Sequence, residues 1–155
     1  VRSGRRLAVD VGKVRVGLAI SDFHGILASP LKNILRQAEN SDTVKLILEA
    51  ISGEDLIEIY VGLPVSMSGR ATASTDDAVA LAKALSIELS TPLRMIDERL
   101  TTVSASAALR SSGKNSKQGR SVIDQVAATM ILEQALATEK NTGTTPGVGL
   151  KDLDV

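Results

Sequence analysis

The chain has 155 residues, 43% hydrophobic and 23% charged, with 18 basic residues balancing 18 acidic ones; that is enough for one domain with a buried core, and it argues against binding nucleic acid through bulk charge. The absence of cysteine excludes disulfides, thiolate nucleophiles and Cys-ligated metals, the single His24 leaves a metal site to oxygen ligands, and one Phe with one Tyr excludes an aromatic platform for stacked bases. No run approaches the roughly 18 apolar residues of a membrane span and no N-terminal segment has the layout of a secretory signal, so a cytoplasmic protein with no membrane partner is expected.

From Arg6 to Asp22, Val9, Val11, Val14, Val16 and Ile20 flank Gly12-Lys13, which predicts two strands joined by a hairpin turn. "GILASPLKNIL" continues as a third strand, and its Pro30 suits a sheet edge because proline donates no ladder hydrogen bond. Ser41 or Asp42 can cap a helix in which Val44, Ile47, Leu48 and Ile51 recur at helical spacing, ending near Gly53. "LIEIYVGLP" reads as a buried strand, "VSMSGRATAS" as a loop, Asp77 to Leu89 as an amphipathic helix and "PLRMIDERL" as another strand. Thr101 or Thr102 opens a helix to about Arg110, after which "RSSGKNSKQGR" gathers Arg110, Lys114, Lys117 and Arg120 without an acid, a solvated basic loop on composition alone. A last helix is expected from Ser121 to about Ala137; the tail 138–155 has no periodicity, which predicts disorder. Antiparallel strands first and parallel crossovers after make an α/β layout, and no repeat or linker divides it, so a single domain over residues 1–137 is expected.

Several acids stand at the ends of these elements. Asp10 ends the apolar run of the first strand, and Asp97 and Glu98 end the last, where ligand sites of α/β sheets gather at the carboxyl edge. Asp124 falls in the first turn of the final helix, on the face of Ala127, Ala128 and Ile131. Each has a plain structural alternative: Asp10 as acceptor in a turn, Asp97 or Glu98 as a helix cap, Ser121-x-x-Asp124 as a capping box. Together they favour a site, because three elements whose ends can converge each present an acid beside apolar sequence, and a divalent cation offsets the cost of burying such charges.

Four segments, "DVGKVRVGLAISD", "VGLPVSMSG", "DERLTT" and "IDQVAATMIL", occur in the order and spacing of the YqgF/RuvX family, which the chain resembles from about Arg6 to Ala137. The family is described as Holliday junction resolvases and as pre-16S ribosomal RNA nucleases. The resemblance implies a ribonuclease H-like fold, a five-stranded mixed sheet in the order 3-2-1-4-5 flanked by helices. By matching motif it implies Asp10, Glu98 and Asp124 as a catalytic and metal-binding triad that holds Mg²⁺ or Mn²⁺ for phosphodiester hydrolysis; Asp97 shares the "DER" motif with no settled role. Arg15 is expected to contact a phosphate or orient a site carboxylate, Gly62 to keep a strand end clear of the substrate backbone, and Lys114, Lys117 and Arg120 to contact phosphates beside Asp124. One departure is that Ser66-Met67-Ser68-Gly69 stands where the family usually has an Asn-Met-Asp-Gly-like turn, so that turn brings no acid.

The implied activity is metal-dependent cleavage of structured nucleic acid, with 5′-end processing of pre-16S ribosomal RNA placed ahead of cleavage of branched, four-way DNA junctions. A junction resolvase would bring a homodimer, since such enzymes act as two-fold dimers. A non-catalytic ribosome-assembly factor that binds nucleic acid is a further alternative. An ATP-dependent phosphotransferase, suggested by the loop "DVGKVRVG", would need two copies of the fold.

Overall fold

The structure, a computed structural model, describes residues 2–98 and 116–153 and, of residues 116–125, the backbone alone. In chain order it contains β1 (Arg5–Val11), β2 (Arg15–Ser21), β3 (Ala28–Leu35), α1 (Asn40–Ala50), β4 (Leu56–Leu63), α2 (Ala73–Glu88) and β5 (Leu93–Asp97). The long helix α3 (Ser116–Thr142), the short strand β6 (Val148–Gly149) and a 3-10 turn (Leu150–Asp152) follow. The helix expected from Thr101 or Thr102 lies outside the described residues.

One mixed sheet runs in the order β3-β2-β1-β4-β5-β6. β1, β2 and β3 pair antiparallel, β1, β4 and β5 pair parallel, and β6 closes the far edge antiparallel to β5. The order 3-2-1-4-5 is therefore present, with a sixth strand added, and the architecture is consistent with the ribonuclease H-like fold. Because side chains alternate across a strand, the two faces collect different sets. Leu7, Val9, Leu18, Ile59, Val61 and Met95 form a core with Ile47 of α1 and Leu81 and Leu85 of α2. On the other face Ala8, Ala19, Tyr60 and Ile96 lie under Ala128, Ile131, Leu132 and Ala135 of α3. The small side chains of Ala8 and Ala19 let the helix approach the sheet, and each large aliphatic buried there contributes about 1.5–3 kcal/mol relative to exposure.

Four helix boundaries differ from the sequence expectation. α1 starts at Asn40 after Glu39, with no side-chain cap, and Asp42 instead lies in the first turn, where its charge suits the helix dipole. α2 starts at Ala73 because Thr72 and Thr75 form a reciprocal capping box, in which Thr72 N donates to Thr75 Oγ1 at 2.8 Å. α3 starts at Ser116, so Lys117 and Arg120 belong to a helix rather than a loop, while Lys114 lies outside the described residues. The same helix continues past Ala137 to Thr142, and beyond it the tail is ordered as β6. Arg94 fixes that segment by donating from Nε to the Pro146 carbonyl and from Nη2 to the Gly147 carbonyl, each at 2.5 Å, and Met95 pairs with Val148.

The extension of α3 has a buried electrostatic basis. Glu139, 4% exposed, accepts from Arg6 Nη2 at 2.9 Å and from Arg2 Nη2 at 2.5 Å, and Arg2 also reaches Glu58 of β4 at 2.7 Å. The Arg6 side chain is fully buried and donates further to the Gly4 and Arg2 carbonyls. This cluster ties the N-terminal segment, β4 and α3 together at the amino ends of β1 and β4. Among the described residues no helix is long and apolar enough to cross a membrane.

Candidate active site

Asp10, Gly62 and Glu98 arrive at one place by strand periodicity. Asp10 is two residues beyond Ala8, Gly62 two beyond Tyr60 and Glu98 two beyond Ile96, and those three residues all belong to the face covered by α3. The parallel pairing of β1 with β4 and of β4 with β5 aligns their carboxyl ends, with Val9 beside Val61 and Gly62 beside Ile96. Asp97, one residue earlier, alternates to the opposite face and is exposed. That separates the two acids of the "DER" motif: Glu98 joins Asp10, and Asp97 acts on it only through charge.

Glu98 is held just past the end of β5, where its backbone N–H points to the Leu63 carbonyl at 3.4 Å. Its carboxyl hydrogen-bonds with that of Asp10. Burial pushes Glu98 up to about 7, the hydrogen bond with Asp10 pulls it back, and the Asp97 charge adds to the rise. Near neutrality the pair is therefore partly protonated, because burial first and the Asp97 charge second disfavour ionisation of Glu98 beside Asp10. Gly62 creates the room they occupy: a Cβ at this position would run into Glu98 Oε2 and come within 2.7 Å of Ile131 Cδ1. Gly62 is expected from sequence to keep the strand end clear of the substrate backbone, and within the chain its nearest described neighbours are the Glu98 carboxyl and Ile131 of α3.

The loop after Asp10 is braced from behind. At Gly12 a Cβ would meet the Arg15 carbonyl at 2.5 Å, and Gly12 N donates to that same carbonyl at 2.9 Å, which closes the turn. Arg36 donates from Nη1 to the Gly12 carbonyl at 2.9 Å and forks onto Asp77 of α2 at 2.8 and 3.0 Å. Arg36 holds Asp77 below the ordinary carboxylate range, although burial opposes it. This brace was missed from sequence, since its partners are 41 residues apart and neither belongs to a motif. Arg15 opens β2 at the same edge, half-buried, with Val16 pairing Val11 and Gly17 pairing Asp10. The turn that lacks the family's acid is closed by its serines: Ser66 and Ser68 hydroxyls share a hydrogen bond at 2.9 Å, and Arg70 N donates to Ser66 Oγ at 3.0 Å.

Two carboxylates in contact at a half-buried sheet edge are hard oxygen donors of the kind Mg²⁺ and Mn²⁺ take, so the donor set fits such an ion. Among the described residues no group of three His, Cys, Asp or Glu side chains forms a metal cluster. Asp124, the third acid of the sequence reading, lies on α3 one turn before Ala128, and its side chain is outside the description, as are those of Lys117 and Arg120.

Comparison with known proteins agrees with these motifs. A protein of Leifsonia xyli named "Putative pre-16S rRNA nuclease" is 52% identical over 147 residues, covering 95% of this chain and 94% of its own. One of the same name from Streptomyces coelicolor is 42% identical over 156 residues, covering 97% and 90%. Among solved structures, T. thermophilus RuvC in complex with Holliday junction substrate covers 86% of this chain and 97% of its own at 13% identity and a TM-score of 0.47, too distant to bear on function. The family described as "RuvX: Holliday junction resolvase" matches residues 4–138, and the chain belongs to it.

Proposed function

We propose that this protein is a metal-dependent nuclease that hydrolyses phosphodiester bonds in structured nucleic acid, with the 5′ end of pre-16S ribosomal RNA as its substrate. The observation that carries this reading is the Asp10–Glu98 carboxyl pair at the carboxyl edge of the sheet, in space that Gly62 leaves open. The choice of RNA follows the names of relatives that match nearly the whole chain.

In this scheme Asp10, Glu98 and Asp124 hold the cation. Mg²⁺ or Mn²⁺ bound there supplies Lewis acidity for activating water and for stabilising the leaving oxygen. Glu98 gives up the proton it retains in the metal-free protein, since a ligating carboxylate must be ionised. Gly62 leaves Glu98 its position, and the Arg36–Asp77 pair steadies the turn that follows Asp10. Lys114, Lys117 and Arg120 bind substrate phosphates, and Arg15 serves as phosphate contact or carboxylate orienter.

A second reading, cleavage of four-way DNA junctions, is favoured by the family's description and would need two sites facing one surface. A panel of precursor 16S RNA, junction DNA and linear controls, each with Mg²⁺, Mn²⁺ or chelator, separates them. Cleavage of the precursor RNA at its 5′ end, abolished by chelator, is expected. Cutting of junctions alone would transfer the assignment to resolvase, and binding without turnover would make the protein a non-catalytic assembly factor.

A further inference from the structure

The end of the molecule away from Asp10 carries an apolar surface for which catalysis has no use. Between β2 and β3 the chain exposes Phe23, Ile26 and Leu27 at 56%, 74% and 66%. These side chains sit on a closed turn, because the Asp22 carboxylate accepts from the backbone N–H of Ile26 at 2.7 Å and of Leu27 at 3.0 Å. A cavity of about 550 Å³ lies between this loop and the C-terminal half of α3, lined on the helix side by Glu133, Leu136, Ala137 and Lys140. Glu133, Ala137 and Lys140 are exposed and follow one another at i, i+4 and i+7, so they form a single stripe.

We propose that this face docks a second copy of the chain, with α3 antiparallel to its counterpart about a two-fold axis near Leu136 and Ala137. The charges select that occupant. Glu133 and Lys140 are opposite in sign and equally far from the midpoint between residues 136 and 137. A two-fold axis there sets Glu133 against the partner's Lys140 and, by symmetry, Lys140 against the partner's Glu133. Ala137 at the crossing allows a close interaxial approach of about 8 Å, and the exposed loop side chains of both copies are covered together. Pairing of β3 edges is disfavoured, since that strand carries Pro30 and Lys32. An apolar small molecule would fill the cavity but leave the sign-reversed pair without a role.

The docking does not depend on the catalytic assignment. The crossing lies about 20 Å along α3 from Asp124, so both carboxylate edges stay uncovered and point away from the shared face. Such a dimer presents two separate edges rather than two sites converging on one junction.

Sedimentation velocity of the full chain between about 1 and 200 µM tests it, because association of this kind depends on concentration. The parent protein should dimerise. Glu133→Lys or Lys140→Glu alone turns both symmetric pairs repulsive and should weaken the dimer roughly tenfold or more, and the double reversal should restore it. Leu27→Asp should abolish association and melt like the parent at concentrations where the parent is monomeric, and Leu27→Ser serves as the milder variant if the turn responds to the new charge. A parent that stays monomeric throughout, a dimer indifferent to the single reversals, or a double reversal that fails to recover association would each overturn the proposal.

Discussion

Gly62→Ala adds a single methyl group at the point where β4, Glu98 and α3 meet. The added Cβ overlaps Glu98 Oε2, which has to retreat by about 1 Å to reach ordinary contact, and it also presses on Ile131 Cδ1 at 2.7 Å. Both obstacles are the far ends of flexible side chains, so the fold can yield. Overpacking of this kind costs about 1–3 kcal/mol, offset by roughly 0.4–1 kcal/mol from the lower unfolded-state entropy of alanine. The net is about 0.5–2 kcal/mol, a fall in Tm of roughly 2–6 °C for a chain of this size. Function should suffer far more, because displacing a site group by about 1 Å can cost on the order of 100-fold in rate. Thermal melting beside single-turnover cleavage of precursor RNA at saturating Mg²⁺ reads the two effects separately. A folded Gly62→Ala protein that cleaves within about threefold of the parent would refute the claim that the glycine exists for Glu98.

Glu139→Ala should destabilise by about 3 kcal/mol, because it strands the Arg6 guanidinium, whose side chain is 0% exposed, with only carbonyl acceptors; an unfolding free energy from denaturant titration lowered by less than about 1 kcal/mol would mean that water reaches Arg6. Glu139 and Glu98 set opposite pH trends. Burial raises Glu139 but its bonds to Arg2 and Arg6 outweigh that and hold it low, so the stability it lends is complete above the unfolded pKa and is lost on acidification through the lower native value. Glu98 is raised, so the metal-free native state keeps a proton that the unfolded chain has already released, and stability falls as pH rises from about 4.5 to about 7. Glu98→Gln should remove that second trend, and its persistence in the variant would assign it to another group. Replacing Lys114, Lys117 and Arg120 together with alanine should weaken RNA binding and flatten its salt dependence by about one counterion term per lost contact; an unchanged slope would show that these residues meet no phosphate.

Much of the fold is written locally. The alternation of Val9 and Val11 around Asp10, the turn at Gly12 and the apolar run before Gly62 specify strands and their ends, and the parallel pairing of β1 with β4 and of β4 with β5 then brings Asp10 and Glu98 together. Strand parity even separates Glu98 from Asp97, a distinction available from the sequence once Ile96 is placed on a buried face. What stayed illegible depends on distant partners. Glu139 reads from sequence as one more charge in the tail after Ala137, yet its bonds to Arg2 cross 137 residues and draw α3 beyond Ala137. The tail reads as structureless because Thr, Gly and Pro dominate it, while its order comes from Arg94 and Met95 of β5. The early start of α3 was hidden by Gly119 and the polar residues around it, a composition that suits a loop as well as a helix.

The most direct test of the catalytic assignment is the single-turnover cleavage rate of Asp10→Asn on precursor 16S RNA at saturating Mg²⁺, per folded molecule. Asparagine keeps the shape and removes one charge from the pair with Glu98, so the metal-free variant should melt at the parent's temperature or above it. Its cleavage rate should fall at least about 100-fold through lost stabilisation of charge in the transition state. A variant that is clearly destabilised yet cleaves at the parent's rate would contradict the account and return Asp10 to a structural role.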